Sequence, residues 1–240
     1  EQSSWIRKMF EEGIQLKKQF GEKKVFDLSL GNPLLEPPEK FKNNLIELSK
    51  SNEKGTHRYM PNQGFQSTRE KVAKSLAKES EIPITDEEII ITTGAAGGLN
   101  AILKSILNPE DEIIVFAPYF VEYLFYIRNH NGKPVIVKTN EKFIPDLDDL
   151  NKNITNKTKG IIINSPNNPT GVLYPKNILE KIGEILKKKE KEFESEIYLI
   201  SDEPYRKIIY DNKKYPFIFP HHKRSIIVTS HSKDLGLAGE

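Results

Sequence analysis

Five short polar stretches each follow a short apolar run in this chain, and two of them carry groups suited to covalent or ionic chemistry. Lys233 closes "SHSK" (230–233), directly after "SIIVT". A lysine in that setting is either an ion-pair partner or a nucleophile that forms an imine with a carbonyl. Asp202 opens "DEPY" directly after "IYLIS". An ionised carboxylate at a buried strand end costs several kcal/mol unless a cation faces it, so Asp202 implies a nearby Arg or Lys or a cationic ligand. "TGAAGG" (93–98) puts small residues at the opening of a helix. Such a turn is either plain strand-to-helix packing or an anion site, where backbone N–H groups and the helix dipole favour a phosphate. Ser230 and Ser232 add hydroxyl donors.

The elements that must position these residues follow from apolar patterning. The runs "EIIIT" (88–92), "EIIVFA" (112–117), "PVIVK" (134–138), "GIIIN" (160–164), "IYLIS" (197–201) and "SIIVT" (225–229) are short, β-branched and lack alternation. They predict strands buried on both faces. Helical segments at 97–107, 119–130 and 175–192 fall between several of them, which predicts an α/β fold of three layers: a mostly parallel, doubly wound sheet between helices. Ligands of such sheets bind beyond the carboxyl ends of the strands, where all five polar stretches fall. Upstream, Trp5, Ile6, Met9, Phe10 and Ile14 predict an opening helix, and Asp27 to Leu30 a short strand. Phe41, Leu45 and Leu48 mark a second helix. Phe65, Arg69, Val72 and Leu76 mark a third, in which the Arg69 stem covers apolar surface.

Composition narrows the function classes. The 240 residues can bury a substantial core, and the formal charge of +2 with both signs interspersed argues against nucleic-acid binding. The run "KKKEKE" (187–192) reads as a solvated helix face. With no cysteine, disulfide and thiolate chemistry are excluded. His57, His130, His221, His222 and His231 show no metal-ligand spacing. No apolar run reaches membrane-span length and no signal peptide opens the chain, so a cytoplasmic protein is expected. An anion site, a carboxylate for a ring cation and an imine-forming lysine are together the requirements of one cofactor, pyridoxal phosphate.

The motifs "SLGNP" (29–33), "YMPNQG" (59–64), "TGAAGG" (93–98), "PYF" (118–120), "NSPNNPTG" (164–171), "SDEPY" (201–205) and "SHSK" (230–233) resemble those of the class I/II aminotransferases, fold-type I pyridoxal-phosphate enzymes. The resemblance implies an aminotransferase that moves an amino group between an L-amino acid, aspartate-like or broad in range, and a 2-oxo acid. It implies that Lys233 is the internal-aldimine lysine and proton shuttle, and Asp202 the partner of the pyridinium nitrogen. Tyr205 and Asn168 resemble the donors to the cofactor's phenolic oxygen, and Phe120 the aromatic that stacks on its ring. Ala95 and Ala96 would bind the phosphate through backbone N–H groups, with Ser230 adding its hydroxyl. Tyr59 would reach the phosphate of a partner subunit in a homodimer with shared sites. Gly31 and Asn168 would lie near the substrate.

The resemblance further implies that 1–28 is an N-terminal segment packing on a small domain or a dimer partner, and 29–240 the cofactor-binding large domain. A phosphate-binding arginine expected after the lysine and the C-terminal small domain are both absent from the 240 residues, so a fragment with little activity alone is expected. Two alternatives stay open. One is another fold-type I enzyme, such as a carbon–sulfur lyase. The other is a non-catalytic cofactor-binding module, as in some transcription regulators, although 1–28 is too short for the DNA-binding domain those carry.

Overall fold

A computed structural model of the chain describes residues 5–28, 31 and 33–239. Its centre is a five-stranded sheet, β1 (Glu112–Phe116), β2 (Lys133–Val137), β3 (Thr158–Asn164), β4 (Tyr198–Asp202) and β5 (Ser225–Val228). The strand order is β2-β1-β3-β4-β5, and every neighbouring pair is parallel. Parallel strands need crossovers, and helices supply most of them. Helices α1 (Trp5–Phe20), α2 (Glu39–Lys50), α3 (Gln66–Ser80) and α4 (Gly94–Ile106) precede the sheet; α5 (Glu122–Asn129), α6 (Leu147–Asn153) and α7 (Lys176–Phe193) connect its strands. None of these helices is long and apolar enough to cross a membrane.

Both sheet faces are covered, which explains the unbroken apolar runs. Ile113 and Val115 face one way, with Ile162, Ile200 and Val228, against Leu99 and Leu103 of α4 and Tyr123 and Ile127 of α5. Ile114 and Phe116 face the other way, with Ile161, Ile163 and Leu199, against Leu150 of α6 and Leu179, Ile182 and Leu186 of α7. The period of two along each strand makes this division.

The amino edge of the sheet is latched by polar side chains. Glu112 accepts from the Thr155 hydroxyl (2.6 Å), and Arg224 bonds both Glu190 (2.8 Å) and Glu196. His222, also buried, shares a hydrogen bond with the Ile197 carbonyl (2.7 Å). Here α7 meets the 218–222 turn without clearance: a Cβ on Gly183 would lie 2.1 Å from the His221 carbonyl oxygen. Gly183→Ala is therefore expected to destabilise the chain by about 1–3 kcal/mol, the usual range for overpacking. A urea midpoint unchanged from the parent would refute this.

Three sequence expectations need correction. Residues 88–92 do not form a strand. Glu88 is drawn into a capping box with Thr85 that closes a 3-10 helix at Asp86–Glu88. The following residues are extended, but the Ile91 N–H goes to the Gln63 carbonyl (3.0 Å), not to a ladder. β-branched residues favour extension, yet a strand also needs a partner, and none is present among the described residues. The short strand expected at 27–30 is not formed at Asp27 and Leu28; Ser29 and Leu30 lie outside the described residues.

The third correction concerns α3, which buries Arg69 and Ala73 and leaves Val72 and, at its N-cap, Phe65 exposed. Arg69 does more than cover apolar surface with its stem. Its guanidinium donates to the Gly64 carbonyl (3.3 Å) and lies 3.2 Å from the Asp86 carboxylate. It thus ties α3 to the loop that carries Tyr59. By contrast, α6 was not anticipated. Its seven residues hold only two leucines, too few to show a period, and its start is set by the Asp146 carboxylate accepting the N–H groups of Asp148 and Asp149 (3.0 Å each).

Candidate active site

β4 ends on Asp202 because its apolar residues run out where the sheet's carboxyl edge begins. The carboxylate is 6% exposed. One oxygen, Oδ2, accepts from the Tyr123 hydroxyl at 2.5 Å; the other, Oδ1, is buried and meets no partner among the described residues. Burial pushes the carboxyl up to about 6, with the Tyr123 bond opposing the rise. No Arg or Lys side chain bonds it among the described residues, so of the two readings of Asp202 the structural ion pair is not formed. Tyr123 is held well above the usual phenol range, first by burial and then by the Asp202 charge, so it stays a donor.

Neighbouring strand ends converge on this carboxylate. Asn164, last residue of β3, donates from its amide to the Asp202 carbonyl (2.8 Å). Its side-chain oxygen accepts the Asn168 N–H (2.6 Å), which folds the "NSPNNPTG" loop back over the strand end. The Tyr205 phenol is raised by burial and by the Asp202 charge, an effect partly offset by its contact with the Asn168 side chain. Asn168 and Tyr205 also share the wall of an open cleft of ≈ 600 Å³. Phe120 sits edge-on to Tyr123, ring centroids 5.5 Å apart.

The start of α4 lies beside the end of β5. A Cβ on Gly98 would fall 2.9 Å from Val228 Cγ1, so only glycine lets the helix sit this close. Gly94 turns the chain into the helix with φ +64°, a conformation costly for residues with a Cβ. The first-turn amides, including those of Ala95 and Ala96, have no intrahelical acceptor. Two residues beyond β5, the Ser230 hydroxyl donates to Ser232 (3.1 Å).

Lys233 is half-buried, and its Nζ donates to the Gly31 carbonyl at 3.4 Å. The same two segments meet again at Gly236, where a Cβ would lie 2.7 Å from the Leu35 carbonyl oxygen. Lys233 and Gly31, 202 residues apart in sequence, are thus neighbours. Of "SLGNP", Ser29, Leu30 and Asn32 lie outside the described residues. Two groups of expected site residues thus form, Asp202 with Asn168 and Tyr205, and Lys233 with Gly31, while Tyr59 is fully exposed on the 57–64 loop.

Tyr123 is the site residue that sequence reading missed. The available signal was its place three residues after Phe120, which puts both rings on one side of the chain entering α5.

Comparison with known proteins agrees with this geometry. The sequence profile described as "Aminotransferase class I and II" matches residues 23–240. A probable aspartate/prephenate aminotransferase of Thermus aquaticus is 35% identical over 216 residues, covering 88% of this chain and 54% of that protein. The aspartate aminotransferase of Pyrococcus horikoshii is 33% identical over 239 residues, covering 98% of this chain and 57% of its own length. The crystal structure of an amino transferase from Eubacterium rectale superposes with a TM-score of 0.93 at 35% identity, over all of this chain and 61% of that one. That of the Thermus thermophilus aspartate aminotransferase with maleate gives 0.86 at 30% identity, over 99% of this chain and 60% of its own. The chain spans about half the length of the curated relatives it matches. With its parallel sheet, the clustering of motifs at one sheet edge and a profile match over nearly its whole length, the chain belongs to the aminotransferase class I and II family.

Proposed function

We propose that the protein is a pyridoxal-phosphate-dependent aminotransferase acting on an aspartate-like L-amino acid and a 2-oxo acid. The observation that carries the proposal is Asp202. Its second carboxylate oxygen is buried without a partner among the described residues, at the carboxyl edge of a parallel sheet whose last strand lies beside the α4 start, where the Ala95 and Ala96 amides have no side-chain cap. This donor set fits pyridoxal phosphate: a cationic ring N–H satisfies Oδ1, and the α4 amides suit a phosphate. The names of the relatives support aspartate as the amino-acid class.

The residues divide the work. Ala95 and Ala96 hold the phosphate through their amides, and Ser230 adds its hydroxyl. Phe120 covers one face of the ring. Asn168 and Tyr205 would donate to the ring's phenolic oxygen, and Asp202 would favour a protonated ring nitrogen. The bound cofactor supplies a sink for the electron pair left when the substrate's Cα proton departs. Lys233 would hold the cofactor through its amine, and that amine, when free, would accept the Cα proton and return it. Tyr123 holds Asp202 in place. Gly31, beside Lys233, borders the substrate's position. Tyr59 serves the site of a partner subunit in a homodimer; its full exposure here supports that role.

The domain division is proposed on similar grounds. α1 packs on the 3-10 helix at Glu22–Lys24, and Lys17 pairs with Asp27 at 2.9 Å, so the described part of the proposed 1–28 segment, residues 5–28, holds together. Residues 29–240 form the cofactor-binding domain.

Borohydride reduction tests the proposal directly, since it fixes a lysine–cofactor link as a stable amine. After incubation with pyridoxal phosphate and reduction, peptide mass mapping is expected to place the pyridoxyl group on Lys233. A label on another lysine with Lys233 unmodified refutes the assignment.

A further inference from the structure

Behind Asp202, on the other face of the sheet, is a second buried carboxylate that the proposed chemistry does not use. Glu203 extends the β4 ladder by one bond: its N–H donates to the Val228 carbonyl (2.7 Å), and its own carbonyl accepts from the Thr229 hydroxyl (3.1 Å). Its side chain shares the face of Ser201, two residues back, opposite that of Asp202. It is 1% exposed. Arg206 reaches back to it, Nε lying 3.7 Å from Oε2, while Nη2 lies 3.4 Å from Glu79 of α3. The Arg206 guanidinium also sits 5.3 Å from the Phe217 ring centroid. The Tyr215 phenol lies against both Glu203 and Ser201. Yet among the described residues Ser201 Oγ, both Glu203 oxygens, and Arg206 Nε and Nη1 close no full hydrogen bond.

A buried ion pair at this distance, without hydrogen bonds, is a poor source of stability, because desolvation offsets the attraction. What the pair does is bracket a turn. Only Pro204 and Tyr205 lie between its members, and the turn is closed by Arg206 N–H to the Glu203 carbonyl (3.3 Å) and Ile208 N–H to the Tyr205 carbonyl (2.8 Å). We propose that Glu203 and Arg206 are positioning residues for Tyr205, a clamp that sets the turn carrying its phenol toward Asn168 and Asp202. The proposal rests on the reading of Tyr205 as a site residue.

The clamp depends on charge. Ionised Glu203 draws Arg206 in; a neutral carboxyl releases it to Glu79. Burial pushes Glu203 up to about 7, opposed by Tyr215, Arg206 and Ser201 and assisted slightly by the charge of Asp202. The clamp is therefore closed at higher pH and open at lower pH, with the change near neutrality. The titratable groups around Glu203 are Arg206 on the turn, Tyr215 on the segment after it, Asp202 on β4 and, through Arg206, Glu79 on α3.

The test is NMR of the cofactor-free protein carrying ring-labelled tyrosine, with the Tyr205 signal assigned by Tyr205→Phe. Because the Asp202 carboxyl, at about 6, also acts on Tyr205, the measurement is made in Asp202→Asn, where a single sigmoidal shift of that signal near neutral pH is expected. It should vanish when Glu203→Gln, which reproduces the protonated state, is added. In Arg206→Lys, which keeps the charge but loses the fork, the midpoint should move. A signal that is flat in Asp202→Asn, or a shift near neutral pH that survives in the Asp202→Asn, Glu203→Gln double variant, overturns the proposal. No cofactor enters this measurement, so its failure leaves the functional reading to be judged by the borohydride experiment alone.

Discussion

Asp202→Asn is expected to stabilise the cofactor-free protein at about pH 8 and, on the function proposed above, to cripple turnover in a full-length enzyme carrying this chain. The carboxyl's folded value, about 6, lies above the ordinary 3.8, so the folded chain binds that proton more tightly than the unfolded chain. A raised carboxyl favours folding at low pH, and that contribution is lost as pH rises through the folded value. The gap corresponds to roughly 3 kcal/mol of strain from holding a buried, ionised Asp202 above about pH 6. Asparagine cannot ionise and keeps an oxygen for Tyr123. A gain of roughly 1–3 kcal/mol in urea unfolding is therefore expected at about pH 8, shrinking toward zero near pH 4. The amide cannot hold a ring nitrogen protonated, and loss of one such preorganised charge is expected to lower turnover on the order of 10²–10³-fold. A variant less stable than its parent at about pH 8 would show that Asp202 is a structural carboxylate with a cation yet to be identified.

Lys233→Ala is expected to leave stability nearly unchanged and, on the function proposed above, to lower the turnover of a full-length enzyme carrying this chain more severely. The Lys233 amine makes one long bond to the Gly31 carbonyl and no ion pair among the described residues, so its removal is expected to change stability by no more than about 0.5 kcal/mol. Turnover is expected to fall on the order of 10⁴-fold, the upper end for loss of a general base, because the same amine also carries the cofactor. Small primary amines added to the variant should restore part of the lost rate by supplying the missing base. Activity within about tenfold of the parent would remove Lys233 from the mechanism, whatever the labelling experiment shows.

The extent to which the sequence foretold this arrangement differs from element to element. Five of the six apolar runs became strands, because burial on both faces leaves a compositional trace at each residue. The run at 88–92 has the same composition and failed, because pairing is a property of the neighbour and not of the run. Asp202, Asn168 and Tyr205 were legible as polar residues stranded at apolar run ends, and the fold brings all three together. Tyr123 was not, because an aromatic on a helix facing a sheet reads as core, and only the 2.5 Å bond to Asp202 separates it from Ile127. Glu203 was overlooked beside Asp202 for a similar reason. Adjacent residues in an extended chain point to opposite faces, and which face holds the site is set by packing. Arg69 and Arg206 are the harder cases, since nothing in their spacing announces that a guanidinium will be buried.

The polar latches on the amino edge of the sheet also bear on how this protein can change. Since all five strands are parallel, every proposed site residue drawn from their ends lies on one edge, and Glu112, Glu190, His222 and Arg224 lie on the other. Variation in the loops at 108–110 and 194–196 is therefore felt as folding stability and not as altered chemistry. Changes at Glu196, which Arg224 holds, therefore loosen the fold without touching the machinery at the opposite rim.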